Sequence, residues 1–267
     1  MTELDVKKEL IYTFPWGFHL GDFVNGEENI PLYTPSNDGG FLLFYDKNSE
    51  KKVDKLLESL VLELLSSMPF DSLKVDMFDF GRKKFYNLSP LQYMETYRVS
   101  YTKEMIEQRF TELENMVIAR HKELLCCTRR DINEHNQKSK MKQAYHLVLI
   151  NLENFANDEI ALRRVKNFVE SACQAGLYVI AFGYDEILQS KNEQIQAIIN
   201  YFKKIEVANN TFSISSKVFE FVELFETHTF TPLDLEKGML LEEVMKNADL
   251  ESFTDPENIK LESNTKV

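Results

Sequence analysis

Two kinds of hydrophobic pattern alternate along the chain. Short runs are apolar at nearly every position: Phe41 to Tyr45 (FLLFY), His146 to Leu152 (HLVLINL) and Leu177 to Phe182 (LYVIAF). Such runs suit strands covered on both faces, because a half-exposed strand would alternate with polar residues. Between them apolar residues recur at helical spacing. Val53, Leu56, Leu57, Leu60, Val61, Leu64, Leu65 and Met68 line one face of a helix that Pro69 stops. Ile106, Phe110, Leu113, Val117 and Leu124 mark a second helix over about 103–127. Leu162, Val165, Phe168, Val169 and Ala172 mark a third, with Gly176 placed as a C-terminal cap. Further helices are expected over 192–203 and 215–226, and further strands over 73–80 and 205–208. Buried strands alternating with amphipathic helices imply an α/β fold, with a mostly parallel sheet and helices on both faces.

The flanks read differently. Residues 1–36 contain Pro15, Gly17, Gly21, Pro31 and Pro35, which break long helices, so an N-terminal extension of short β elements is expected there. One domain then spans 37–233. From Asp234 to Val267 the chain is acidic and poor in aromatics, which reads as a loosely ordered tail or a docking segment.

Composition narrows the class. The 267 residues carry a net charge of −12, which disfavours direct nucleic-acid binding by this chain alone. The basic clusters Lys51-Lys52-Lys55, Arg129-Arg130 and Lys138, Lys140, Lys142 read as solvated surface. No stretch approaches the roughly 20 apolar residues of a membrane span. The opening MTELDVKKEL is charged throughout and lacks the apolar core of a secretory leader. A bacterial-type cytoplasm is the simplest compartment. Cys126, Cys127 and Cys173 form no C-x-x-C pair, and the five histidines show no ligand spacing, so no metal site is expected.

In α/β sheets ligands bind at the carboxyl ends of the strands. A phosphate-binding loop there reads G-x-x-x-x-G-K-[ST]: glycines let backbone N–H groups curl around phosphates, the lysine meets the β/γ-phosphates, and the hydroxyl holds magnesium. After FLLF the chain offers YDKNSEKK, with Tyr45 and Glu50 at the glycine positions, Lys51 at the lysine and Lys52 at the hydroxyl. Only Lys51 matches. A glutamate facing phosphates repels them, so the loop is degenerate; Asn48, Ser49, Lys51 and Lys52 are the residues that would line any remaining nucleotide site. After HLVLINL a motor ATPase places an aspartate for magnesium and a glutamate for the attacking water. Here stand Asn151 and Glu153, with no acidic pair in either register. Gly183, after LYVIAF, cannot sense a γ-phosphate.

Taken in order, these pieces resemble the FtsK/SpoIIIE family of RecA-like P-loop ATPases. FPWGFHLGDFVNGEENIPLYTPSNDGGFLLFYDK is similar to the family's lead-in and first strand, and LKVDMFDFGRKKFYNLSPL to its next strand and loop. FTELENMVIARHKELLCCTRRDINEHNQKSK resembles its long helix and following turn, with Glu114, Arg120, Asp131, Ile132 and Asn136 in the matching places. HLVLINLENF, LYVIAF and QIQAIINYFKKIEVAN follow in the family's order, so the similarity covers roughly 12–230.

The departures fall at the catalytic positions. The pattern is therefore most similar to the degenerate ATPase modules of type VII secretion motors, and also to stand-alone FtsK-like proteins of DNA transfer or defence. The resemblance implies a RecA-like fold and a module that docks on an active FtsK-like motor or on itself. Arg120, Arg129 and Arg130 are then candidate interface residues. Two alternatives stay open. One is an ATP-binding DNA or protein translocase in which Lys51 meets phosphate and Glu153 serves magnesium. The other is a pocket that has changed ligand.

Overall fold

The computed structural model describes residues 12–83, 85–126, 128–154 and 159–248. Cys127 and most of the acidic tail, 249–267, lie outside the described residues.

Beginning from the first described residues, β1 (Gly17–Asn25) and β2 (Glu28–Pro35) form an antiparallel hairpin. β3 (Gly40–Tyr45) leads into α1 (Glu50–Ser67), followed by β4 (Leu73–Phe78), β5 (Tyr97–Ser100), α2 (Lys103–Arg120) and α3 (Ile132–Lys138). β6 (Tyr145–Asn151), α4 (Glu159–Ala172), β7 (Leu177–Tyr184), α5 (Glu193–Tyr201), β8 (Lys203–Ala208), β9 (Thr211–Ser213), β10 (Thr229–Pro232) and α6 (Lys237–Asn247) complete the order.

The main sheet runs β5-β4-β6-β7-β3-β8-β9. All its pairs are parallel except β8–β9. β3 therefore lies deep in the sheet, between β7 and β8. The second sheet is small and antiparallel, in the order β10-β1-β2.

Burial explains the all-apolar runs. In β3, Phe41, Leu43 and Tyr45 join the core under α1, while Leu42 and Phe44 face the opposite core. β6 and β7 divide the same way: Leu147, Leu149, Ile180 and Phe182 point to one side, Val148, Ile150, Val179 and Ala181 to the other. α2, α4 and α5 supply the second core through residues such as Phe110, Phe168 and Ile198. α1 is itself covered. Ser59 Oγ accepts the Leu235 N–H at 3.1 Å, and Glu58 accepts the Asn87 N–H at 2.9 Å, so its outer face meets later segments rather than water.

Gly40 shows why one glycine is required. Its φ is +135°, and a Cβ there would sit 1.7 Å from the Val179 carbonyl oxygen, inside the β3–β7 ladder.

Three sequence expectations need correction. The helix expected over 215–226 is absent; turns and a short 3-10 segment, Val222–Phe225, stand in its place. Phe219 and Phe225 are drawn onto Phe23 of β1, with Phe225 stacked on it at 4.8 Å, and this packing overrides local propensity. The helix expected over 103–127 ends at Arg120 and passes into one π turn, His121–Leu125. The start of the acidic segment is a packed helix, α6, with Val244 buried. Among the described residues no helix is long and apolar enough to cross a membrane.

Candidate functional site

The carboxyl ends of β3, β6 and β7 converge at one end of the sheet, and the three candidate segments for phosphate chemistry meet there. Four residues, Asp46 to Ser49, join β3 to α1. Their geometry is set by Asp46. Its Oδ1 accepts the Ser49 N–H at 2.8 Å, and its Oδ2 accepts the Asn209 N–H at 2.7 Å. These bonds, Asn209 first, hold the Asp46 carboxyl below its ordinary range. Ser49 is fully buried, and its Oγ accepts the Asn210 N–H at 2.8 Å. The turn is thus stitched to the β8–β9 hairpin by two side chains of its own. No residue from 45 to 52 has a positive φ, so the alternating conformation that makes a nest of N–H groups is not formed.

The remaining candidates of the loop separate. Asn48 and Lys51 are exposed. Lys52 Nζ donates to the Asn210 carbonyl at 2.9 Å, and its neighbour Lys55 pairs with Asp234 at 3.0 Å. Lys51, Lys52 and Lys55 line an open groove against Pro232 and Leu233, to the side of the strand ends.

The centre of the site is held by a residue outside the loop motif. Lys83, with a side chain 3% exposed, places Nζ 2.9 Å from Glu50 Oε1 and 2.6 Å from Asp54 Oδ1. The ammonium also lies 5.0 Å from the Tyr45 ring centroid and 5.7 Å from that of Phe182. Burial disfavours the ammonium, yet the Tyr45 and Asp54 oxygens outweigh it and raise its pKa. Burial pushes the Tyr45 phenol up to about 12. Glu50 is lowered: burial opposes ionisation, and Lys83 prevails over it. Glu50 also accepts from Tyr184 Oη at 3.0 Å.

Lys83 is aimed inward by a strained turn. Asp79 accepts the N–H groups of Gly81 at 2.8 Å and Lys83 at 2.7 Å, while Phe80 and Gly81 take φ of +56° and +71°. The signal in the sequence was a basic run, Arg82-Lys83-Lys84, just past a strand's carboxyl end.

At the end of β6, Asn151 is buried and its Oδ1 accepts the Glu153 N–H at 3.1 Å. Glu153 accepts from Arg82 at 3.1 Å and from the Tyr184 N–H at 3.3 Å. The acid considered for magnesium is therefore engaged in joining three strand ends. Gly183 is covered by Ile187, whose Cδ1 would lie 2.6 Å from an added Cβ. Among the described residues no group of three or more His, Cys, Asp or Glu is placed to hold a metal ion.

The three arginines lie elsewhere. Arg120 donates to the carbonyls of Ala175 at 2.6 Å and Ala144 at 2.8 Å, both just before β7 and β6. It sits at the amino ends of those strands, across the sheet from the Asp46 turn. Its guanidinium is buried, and burial lowers its pKa to about 10. As an interface candidate Arg120 is therefore corrected: it is an internal tie and presents no charge to a neighbour. Arg129 bonds His135. Arg130 is exposed and pairs with Asp131 at 3.1 Å.

The strand order, the parallel ladder and the turn from a central strand into α1 define a RecA-like α/β fold. Solved structures carry the same fold. EssC (ATPases 2 and 3) from Geobacillus thermodenitrificans aligns with a TM-score of 0.63 and 15% identity over 89% of this chain and 49% of that one. The cytoplasmic domain of EssC gives 0.60, 15%, 88% and 49% in the same measures. The pCW3 conjugation coupling protein TcpA, a monomer form with ATPγS, gives 0.59, 16%, 88% and 72%. The chain thus spans about half the length of the two EssC structures. No family model and no curated protein matches the sequence. The fold is shared with these structures, in line with the RecA-like fold that the sequence resemblance implies.

Proposed function

We propose that this chain is a non-catalytic RecA-like module that docks on an active motor subunit or on a second copy of itself. One observation carries the reading: the β3–α1 turn is closed by its own Asp46 carboxylate, which takes the Ser49 N–H of the turn and ties the turn to Asn209 of the neighbouring hairpin. The Glu50–Lys83–Asp54 cluster supports it. There an internal ammonium balances the acids at the start of α1. A triphosphate arriving at this turn would meet two carboxylates and no arched backbone.

The structural neighbours named above are ATPase domains and a conjugation coupling protein, which supports assembly with other proteins as the role left to such a module. A cytoplasmic setting in a bacterial-type cell fits the same reading.

Titration calorimetry with magnesium-ATP tests it. No binding in the micromolar range is expected for the wild-type chain. Clear binding that is lost in Lys51→Ala would overturn the proposal and establish the translocase reading in its place.

A further inference from the structure

The small sheet is joined to α1 by a histidine flanked on both ring nitrogens by carboxylates. His19 lies at an irregularity in β1, where the β1–β2 register shifts between His19 and Gly21. Such a bulge re-aims a side chain. Here the imidazole reaches α1, where Nδ1 meets Glu63 Oε1 at 3.0 Å. Nε2 lies 3.5 Å from Asp22 Oδ1, is shielded from solvent, and has no hydrogen-bond partner. The ring stacks on Tyr33, its partner across the ladder, at 4.8 Å and 19°.

Proton bookkeeping makes this arrangement state-dependent. A neutral imidazole carries one N–H, so donating to Glu63 leaves a lone pair on Nε2 facing the Asp22 carboxylate. An imidazolium carries two N–H groups and suits both acids. The groups that face the ring are Glu63 from α1, Asp22 from β1 and Tyr33 from β2.

We propose that His19 is a proton-operated clamp, holding the small sheet firmly on α1 when its imidazole is charged and loosely when it is neutral. The consequence extends along the chain. β10 pairs with β1, the Leu233 N–H donates to the Leu20 carbonyl at 3.0 Å, and the chain then enters α6, which covers α1. Docking of β1, β2, β10 and the root of α6 is thereby linked to one proton. The direction supports this: the hydrogen bond from Glu63 raises the His19 pKa, against the opposing effect of burial. With the docked value raised, docking is tightest below about 6.5 and weakens as pH rises through the docked midpoint.

Two measurements on the full chain test the clamp. In an NMR titration the His19 ring is expected to change charge above about 6.5, and Glu63→Gln and Asp22→Asn should each lower that midpoint. In hydrogen exchange, corrected for intrinsic rates, the β1, β2 and β10 amides should open more as pH rises. The expected change is about tenfold for each pH unit separating the docked and free midpoints. In His19→Gln, which keeps a donor but no titrating proton, that rise should vanish. A wild-type midpoint at or below 6.5, or one that neither acid variant moves, overturns the proposal. So does an undiminished pH dependence in His19→Gln. The acid variants alone decide the matter should His19→Gln fail to fold.

Discussion

Asp46 and Asn209 are 163 residues apart in sequence, yet the carboxylate of the first receives the backbone N–H of the second at 2.7 Å. That bond locks the β3–α1 turn to the β8–β9 hairpin, at the place where related folds meet phosphate. Asp46→Ala removes the acceptor for this N–H and for that of Ser49. A lower melting temperature is expected, with the turn and residues 209–210 showing the largest chemical-shift changes. Nucleotide affinity should not appear, because Glu50 and Lys83 still occupy the centre. A variant as stable as the wild type would show that the turn is set by other forces.

Lys83 offers a sharper energetic test. Removing a buried cation leaves Glu50 and Asp54 without their counter-charge, which costs about 3–5 kcal/mol for a fully buried group. Both acids are partly exposed, so a smaller loss of about 2 kcal/mol is expected for Lys83→Met. Lys83→Met with Asp54→Asn should recover part of it, because one of the two orphaned charges is then gone. Urea unfolding of wild type, Lys83→Met, Asp54→Asn and the double variant checks the sign of the coupling; strict additivity would refute the ion-pair account.

The arginines should behave oppositely. Arg120→Met strips two carbonyls of their donors inside the core, with an expected loss of about 2 kcal/mol in unfolding free energy. Arg130→Ala changes an exposed side chain and should stay within about 0.5 kcal/mol of wild type. If Arg130 serves docking, its substitution weakens a complex without touching stability, which sedimentation and melting curves together can resolve.

Acid should destabilise the β4–β6 region through Asp76. This carboxylate is buried, receives Arg109 at 2.7 Å and His146 at 3.1 Å, and has a lowered pKa: burial opposes ionisation, but His146 and Arg109 outweigh it. A lowered carboxyl contributes stability above its unfolded value of about 3.9 and loses it as pH falls through the folded one. His146 is lowered by burial, so its contribution also declines as pH drops below about 6.5. Asp76→Asn should cost most at neutral pH and least in acid. A penalty independent of pH would contradict this.

Gly40→Ala tests the central strand itself. The added methyl would overlap the Val179 carbonyl at a backbone angle side chains rarely adopt, so a loss above about 3 kcal/mol, or failure to fold, is expected in circular dichroism melts.

The parts of this protein legible in its sequence are those governed by local pattern. FLLFY, HLVLINL and LYVIAF announce doubly covered strands because every side chain must be apolar when both faces are packed. The stripe from Val53 to Met68 announces α1 for the same reason. The missing glycines at Tyr45 and Glu50 were visible too, since a motif is a statement about fixed spacing. What no local pattern could show is which distant groups fill the space those glycines left. Lys83 reaches Glu50 only because β4 and β3 end at the same side of the sheet, and Asp46 finds Asn209 only because β8 lies beside β3. Arg120 read as a candidate interface residue, and only the approach of Ala144 and Ala175 made it internal. Phe219 to Phe225 were turned from helix to turn by contact with Phe23, and β10 exists because β1 was there to pair with it. Periodicity determines which faces are buried; the choice of partner across the core is long-range, and only the folded chain decides it.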